Sequence, residues 1–271
     1  SRHAVASHSA RSKISVRSDR AIAEVRSRAF APCVIHGSGH LAALGMFTLR
    51  AAEQGMVAFL CQATPPIMAV QGARIRAIGN NPLSFAAPLR DRPPLVFDMT
   101  ASTVARGHVA AAARDGLAIP PDWAIGPDGN LTQDPNQALL GAMLPVAGHK
   151  GLGLAMLVQC LTVSLAGSGL ADSWTAGNSP AFLMLINPDL MDGRVAFEAR
   201  TEAWLATYLA TFPAAHRYPG QRAAECEAER SANGIPLSLG LLATLQRVGE
   251  LTGVRPPSAN DSLYDPASCV I

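Results

Sequence analysis

The chain has 271 residues, 49% of them apolar and 15% charged, with a formal net charge of +2. That apolar content suffices for one large core or two smaller ones and excludes a disordered chain. A near-neutral balance without a long basic run, and few scattered aromatics, exclude a nucleic-acid surface, while a small anionic substrate stays open.

The 5 cysteines (Cys33, Cys61, Cys160, Cys226 and Cys269) lack CxxC spacing. They read as reduced core or surface thiols, with no metal site. The most apolar segment, Leu152 to Leu165, is shorter than the roughly 20 residues of a spanning helix, so no membrane partner is expected. With no signal peptide read ahead of the domain, a cytoplasmic location is expected. The start at Ser1 instead of Met reads as a hint of a missing upstream segment.

Along the chain, Ser1 to Arg20 alternates weakly, as an irregular lead-in or a ragged edge strand whose basic residues form a solvated face. A helix is predicted from Asp19, with Ser18 or Asp19 as N-cap and Ile22, Val25 and Phe30 on its buried side. The apolar run Ala31 to Ile35 leads into Gly37-Ser38-Gly39-His40 and a helical pattern through Leu41, Leu44, Met46 and Leu49. Gly55 stops that helix, and Met56 to Cys61 reads as a second strand. This strand-helix-strand unit is like the start of a dinucleotide-binding Rossmann fold, but the next glycine, Gly45, is misplaced and Gln62 stands where a ribose-binding acid belongs.

Turns at Ala63-Thr64-Pro65-Pro66 and Gly79-Asn80-Asn81-Pro82 precede strands at Leu83 to Ala87 and Pro94 to Phe97. Asp98, Met99 and Thr100 follow directly. The carboxylate and hydroxyl suit ribose hydroxyls; equally, Asp98 or Thr100 caps the alanine-rich helix Val104 to Arg114. Ile119 to Asn136 reads as a long structured loop anchored by Trp123. Gly148-His149-Lys150-Gly151 then opens a long apolar helix, Gly153 to Leu165, whose Met156 is expected in the core. A lysine at a helix N-terminus between glycines suits a phosphate, or else faces solvent. A buried strand at Ala181 to Ile186 precedes helical patterns at Phe197 to Thr211, Gln221 to Asn233 and Leu237 to Leu251. Arg217-Tyr218-Pro219-Gly220-Gln221-Arg222 forms a turn, and the tail after Pro256 is polar. There is no internal repeat.

Taken in order, GSGH (37–40), TPP (64–66), GNNP (79–82), FDMTAS (97–102), ARGH (105–108), IPPDWA (119–124), AGHKG (147–151), YPGQ (218–221) and NGIPL (233–237) form one ordered set. Over roughly residues 20–255 it resembles the malate/L-lactate dehydrogenase family of non-Rossmann type, which includes ureidoglycolate and sulfolactate dehydrogenases, diketogulonate reductase and cyclic-imine carboxylate reductases. The resemblance implies a mixed α/β fold with a largely antiparallel sheet flanked by helices, a homodimer, and NAD or NADP as cofactor. It implies interconversion of a small 2-hydroxy acid and 2-oxo acid, or reduction of a cyclic imine carboxylate. Carried over by position, His40 is the acid/base, Thr64 a nicotinamide-side contact, and Asp98, Met99 and Thr100 the ribose segment. His149 and Lys150 match a phosphate or ribose contact, and Gly220, Gln221 and Arg222 a further cofactor loop. Residues 1–60 with 235–271 are assigned to dimerisation and the substrate side, and 61–234 to the cofactor.

The chain departs from the family pattern near the substrate. It starts downstream of the usual Asp-Ser-His-Gly segment and its carboxylate-binding arginine. Leu41-Ala42 replaces Phe-Gly, His108 a lysine, Gly126 an acid and Gln159 a glutamate. The alternative reading is a cofactor-binding relative that has lost redox chemistry and serves as a binding or assembly subunit, or in non-redox proton chemistry.

Overall fold

A computed structural model describes residues 19–73, 76–167, 179–214, 216–237 and 239–254. The readings of the N-terminal lead-in up to residue 18, of Cys269 and of the tail after Pro256 lie outside the described residues. The chain divides into two compact units, Ser1–Gly220 and Gln221–Ile271.

The first unit is built on one five-stranded sheet in the order β1-β7-β2-β3-β4. Its strands are β1 (Phe30–Ser38), β2 (Val57–Gln62), β3 (Leu83–Ala87), β4 (Leu95–Met99) and β7 (Ser179–Ile186). Every neighbouring pair is antiparallel, with Cys33 opposite Leu183, Phe59 opposite Met184, Leu60 opposite Ser84 and Phe85 opposite Phe97. The strand-helix-strand unit therefore exists, but β7 inserts between β1 and β2, and the parallel pairing of a Rossmann start is absent from this sheet.

Period-two alternation sends the two faces of these strands to different layers. Ala31, Ile35, Ala58, Leu60, Ala181, Leu183 and Leu185 pack with Ile22 and Val25 of helix α1 (residues 19–25) and with Leu41, Leu44 and Ala51 around α2 (Gly45–Ala52). Phe59, Cys61, Phe97, Met99, Phe182 and Met184 pack on the other side with Leu154, Val158 and Leu161 of the long apolar helix and the turn after it. That helix, α5 (His149–Gln159), runs into a π-helical turn, Cys160–Ser164. It buries Ala155 and Val158 but leaves Met156 exposed, so Met156 is not core.

Other corrections concern boundaries. Phe30 opens β1 and is exposed, not on the buried side of α1. The helical pattern predicted from Leu41 starts only at Gly45, because Ala42 takes a left-handed φ of 61° that no helix contains. The alanine-rich helix is α3 (Arg106–Asp115), whose N-cap, Ala105, has no side-chain cap, so neither Asp98 nor Thr100 caps it. The long loop holds β5 (Ala124–Ile125), which pairs with β6 (Ala142–Met143), and runs into α4 (Pro135–Leu140). Trp123 packs there beside Val109, Ile119 and Ala138, as the expected anchor.

Helix α6 (Arg194–Leu209) contributes Leu205 to a small cluster with Leu89, Leu95 and Tyr218. The second unit carries α7 (Gln221–Asn233) and α8 (Leu239–Thr252), both at the predicted places. No helix among the described residues is long and apolar enough to cross a membrane.

Candidate active site

Antiparallel pairing gathers the C-terminal ends of β1, β2 and β4 and the N-terminal ends of β3 and β7 at one rim of the sheet. The segments that leave this rim carry most of the residues marked by the sequence: Gly39 and His40 after β1, Thr64 after β2, Asn80 and Asn81 before β3, and Thr100 after β4.

His40 is solvent-exposed, between a buried Gly39 and a buried Leu41. Among the described residues no hydrogen bond or ion pair holds its imidazole, which is open to solvent. Its loop is fastened from below: Gln62 Nε2 donates to the Gly39 carbonyl at 2.8 Å and to Ser38 Oγ at 3.1 Å. Ser38 Oγ in turn donates to the Ser179 carbonyl.

Two residues past Gln62, Thr64 is clasped to the next turn. Its hydroxyl donates to Asn80 Oδ1 at 2.9 Å, and its amide donates to Asn81 Oδ1 at 3.0 Å. A Cβ on Gly79 would stand 2.2 Å from the Thr64 carbonyl oxygen, so only glycine permits the clasp. Asn81 is buried at a φ of 32°, and its Nδ2 donates to the Ala155 carbonyl at 2.8 Å and to Gln159 Oε1 at 3.3 Å. Gln159 thus helps tie the β2–β3 turn region to α5.

From Asn80 the chain of contacts continues to the N-terminus of α5. The Ala101 amide donates to the Asn80 carbonyl at 2.7 Å, and the Val146 amide to the Ala101 carbonyl at 2.9 Å. A Cβ on Gly151 would meet the Val146 and Ala101 carbonyl oxygens at 2.5 and 2.6 Å. This close approach seats His149 and Lys150, both exposed, beside the Thr100 segment. Thr100 Oγ1 shares a 2.8 Å bond with Ser102 Oγ, which itself donates to the Val104 carbonyl at 2.7 Å. The amides of Lys150, Gly151 and Leu152 already donate to the carbonyls of Ala147, Val146 and Gly148. An anion here would meet the exposed His149 and Lys150 side chains with the helix dipole behind them.

Other marked residues lie elsewhere. Asp98 is inside β4, not after it, and points to the α2 face: its Oδ2 accepts the Gly45 amide at 2.8 Å. Burial raises its pKa above the ordinary aspartate value, opposed by bonds from the Gly45 and Leu44 amides. Met99, on the opposite face, packs in the core beside α5. Gly220, at a φ of 96°, closes on the β4 edge, where the Pro219 carbonyl accepts the Val96 amide at 3.0 Å. A Cβ there would lie 2.8 Å from Val96 N, so this glycine serves backbone packing. Tyr218 Oη fastens the same turn to the Pro93 carbonyl at 2.8 Å. Gln221 and Arg222 open α7 in the second unit, and Gln221 Nε2 donates to Glu225 Oε1 at 2.9 Å.

Sequence reasoning reads Gln62 only as the wrong residue for a Rossmann acid; an amide at the end of an apolar strand pattern, downstream of a glycine-rich turn, is the available signal. Among the described residues no group of three His, Cys, Asp or Glu side chains converges as metal ligands.

This rim of loops on an antiparallel sheet has relatives. Residues 12–246 match the family described as malate/L-lactate dehydrogenase. The Delta(1)-pyrroline-2-carboxylate/Delta(1)-piperideine-2-carboxylate reductase of Pseudomonas putida is 34% identical over 235 residues, which are 81% of this chain and 69% of that protein. The (2R)-3-sulfolactate dehydrogenase (NADP(+)) of Chromohalobacter salexigens is 39% identical over 150 residues, 55% of this chain and 45% of that one. Among solved structures, delta1-piperideine-2-carboxylate reductase from Pseudomonas syringae superposes with a TM-score of 0.79 at 33% identity, covering 88% of this chain and 73% of that one. With the ordered motifs, the antiparallel sheet and these matches in agreement, the chain belongs to the malate/L-lactate dehydrogenase family.

Proposed function

We propose that the protein is an NAD(P)-dependent oxidoreductase that reduces a small cyclic imine carboxylate or 2-oxo acid, or runs the reverse reaction, with His40 as acid/base. The observation that carries this reading is the exposed, unheld imidazole of His40 at the rim that also bears Thr64, Thr100, His149 and Lys150. The similar proteins named above are a reductase of cyclic imine carboxylates and a dehydrogenase of a 2-hydroxy acid.

The residues at the rim fit a nicotinamide dinucleotide. Lys150 and His149 bring cationic and donor groups to the positive end of α5, suited to phosphate, and Thr64 and Thr100 stand on the segments that leave the same rim as His40. When bound, the nicotinamide supplies the hydride. The task left to the chain is the proton: reduction of a C=N or C=O bond places negative charge on nitrogen or oxygen, and an imidazole delivers a proton there at neutral pH. Asp98, turned towards α2, and Gly220, turned towards the β4 edge, shape the sheet beside the site in this proposal, and Met99 packs in the core beside α5. NADP is the finer cofactor choice, because the sulfolactate dehydrogenase carries it in its name. A homodimer and a cytoplasmic location complete the proposal.

The test is oxidation of NADPH and NADH, followed by absorbance, with Δ1-piperideine-2-carboxylate, Δ1-pyrroline-2-carboxylate, pyruvate and oxaloacetate. Turnover of at least one supports the reading. Tight NADPH binding with no oxidation by any would instead support a binding subunit that has lost redox chemistry.

A further inference from the structure

We propose that Gln62 is the positioning residue of His40: its side-chain amide fixes the peptide that precedes the imidazole. The inference rests on the reading of His40 as proton donor.

Gln62 is 2% exposed, at the last position of β2. Burying a primary amide is unfavourable unless its polar atoms are bonded, and an apolar residue would pack the α2 side of this strand equally well. Its Nε2 donates to Ser38 Oγ and to the Gly39 carbonyl. The carbonyl accepts only, which determines that the nitrogen end of the amide faces it. The bonds span strands that are not neighbours, because β7 lies between β1 and β2. They hold Ser38 and Gly39 where β1 ends, and Gly39 is bonded covalently to His40. On the other side, Leu41 and Leu44 are 1% and 0% exposed, and Asp98 Oδ2 holds the Gly45 amide. The loop is thus pinned before and after His40, and the imidazole projects from between the pins. Orientation of this kind matters to a proton donor, since a displacement of about 1 Å costs on the order of 100-fold in rate.

The test uses the full chain with Gln62→Met, which keeps the volume and removes both hydrogen bonds, with His40→Ala, and with the pair combined. The kcat and KM for NADPH are measured with Δ1-piperideine-2-carboxylate or whichever imine or oxo acid turns over. In parallel, the proton NMR signal of the His40 ring, assigned by its loss in His40→Ala, is compared between wild type and Gln62→Met without substrate. The expected result is a kcat lowered about 10- to 100-fold with the KM for NADPH held within about twofold, a His40 signal that broadens or splits, and no further loss when Gln62→Met is added to His40→Ala. An unchanged His40 signal, a wild-type kcat, or the same loss in the His40→Ala background would overturn it. Wild-type turnover by His40→Ala alone would overturn the proton-donor reading and this inference with it. If Gln62→Met does not fold, Ser38→Ala takes its place, removing one of the two bonds, with the same signal change and a smaller loss of kcat expected.

Discussion

Asp98 on β4 closes the N-terminus of α2, its carboxylate oxygen 2.8 Å from the Gly45 amide. The local N-cap, Leu44, has no side chain able to do this, so the acceptor comes from a strand 53 residues away. Asp98→Ala removes the acceptor and should cost about 1 kcal/mol in urea unfolding.

The same carboxylate has a pH signature. Burial raises its folded pKa above the unfolded value, so the folded state binds this proton more tightly. Its contribution favours the fold in acid, below the unfolded pKa, and is lost as pH rises through the raised folded pKa. Asp98→Asn keeps the cap and removes the titration. Wild type should therefore gain stability relative to Asp98→Asn on acidification, as read from paired urea midpoints; a gap independent of pH, or one of opposite sign, would contradict this.

Ala42 stands at a φ of 61° in the His40 loop, and its side chain is exposed. Left-handed backbone costs a residue with a Cβ roughly 1–2 kcal/mol, against which glycine loses up to about 1 kcal/mol through the freer unfolded chain. Ala42→Gly is expected to raise stability by about 0.5 kcal/mol, measured by thermal unfolding. The glycine that the family usually has at this position thus has a conformational reason.

Gly151 lies where the Ala101 and Val146 carbonyls meet the first turn of α5. Gly151→Ala forces backbone apart and is expected to destabilise by about 1–3 kcal/mol. Because the same shift moves His149 and Lys150 away from Thr100, the affinity for NADPH, titrated by fluorescence, should fall as well. Retained affinity would place the phosphates elsewhere.

Cys61 is wholly buried, and burial pushes its thiol up to about 12, whereas Cys160 is exposed. Thiolate is the reactive form, so peptide mapping after brief alkylation of the native protein should find Cys160 modified and Cys61 untouched until denaturant is added.

The legible parts of the sequence were those governed by local rules. Met56 to Cys61 and Leu83 to Ala87 carry strand patterns between Gly and Pro breakers, and the strands lie at Val57–Gln62 and Leu83–Ala87, with Gly55 at a φ of 83° after the helix before the first of them. What periodicity did not carry were relations between distant segments. Nothing near β1 or β2 indicates that β7, more than a hundred residues on, separates them. Asp98 and Thr100 are adjacent to an alanine-rich helix in sequence, yet Asp98 serves α2, because alternation along β4 turns it to the opposite face from Met99. Gln62 had meaning only once its amide was seen to reach Ser38 and Gly39.

The role of His40 is tested by steady-state reduction of a cyclic imine carboxylate or 2-oxo acid by NADPH, comparing wild type with His40→Ala. In His40→Ala, kcat is expected to fall about 100- to 10,000-fold, as for loss of a general acid, while NADPH still binds with wild-type affinity. A His40→Ala protein that turns over at the wild-type rate would contradict it.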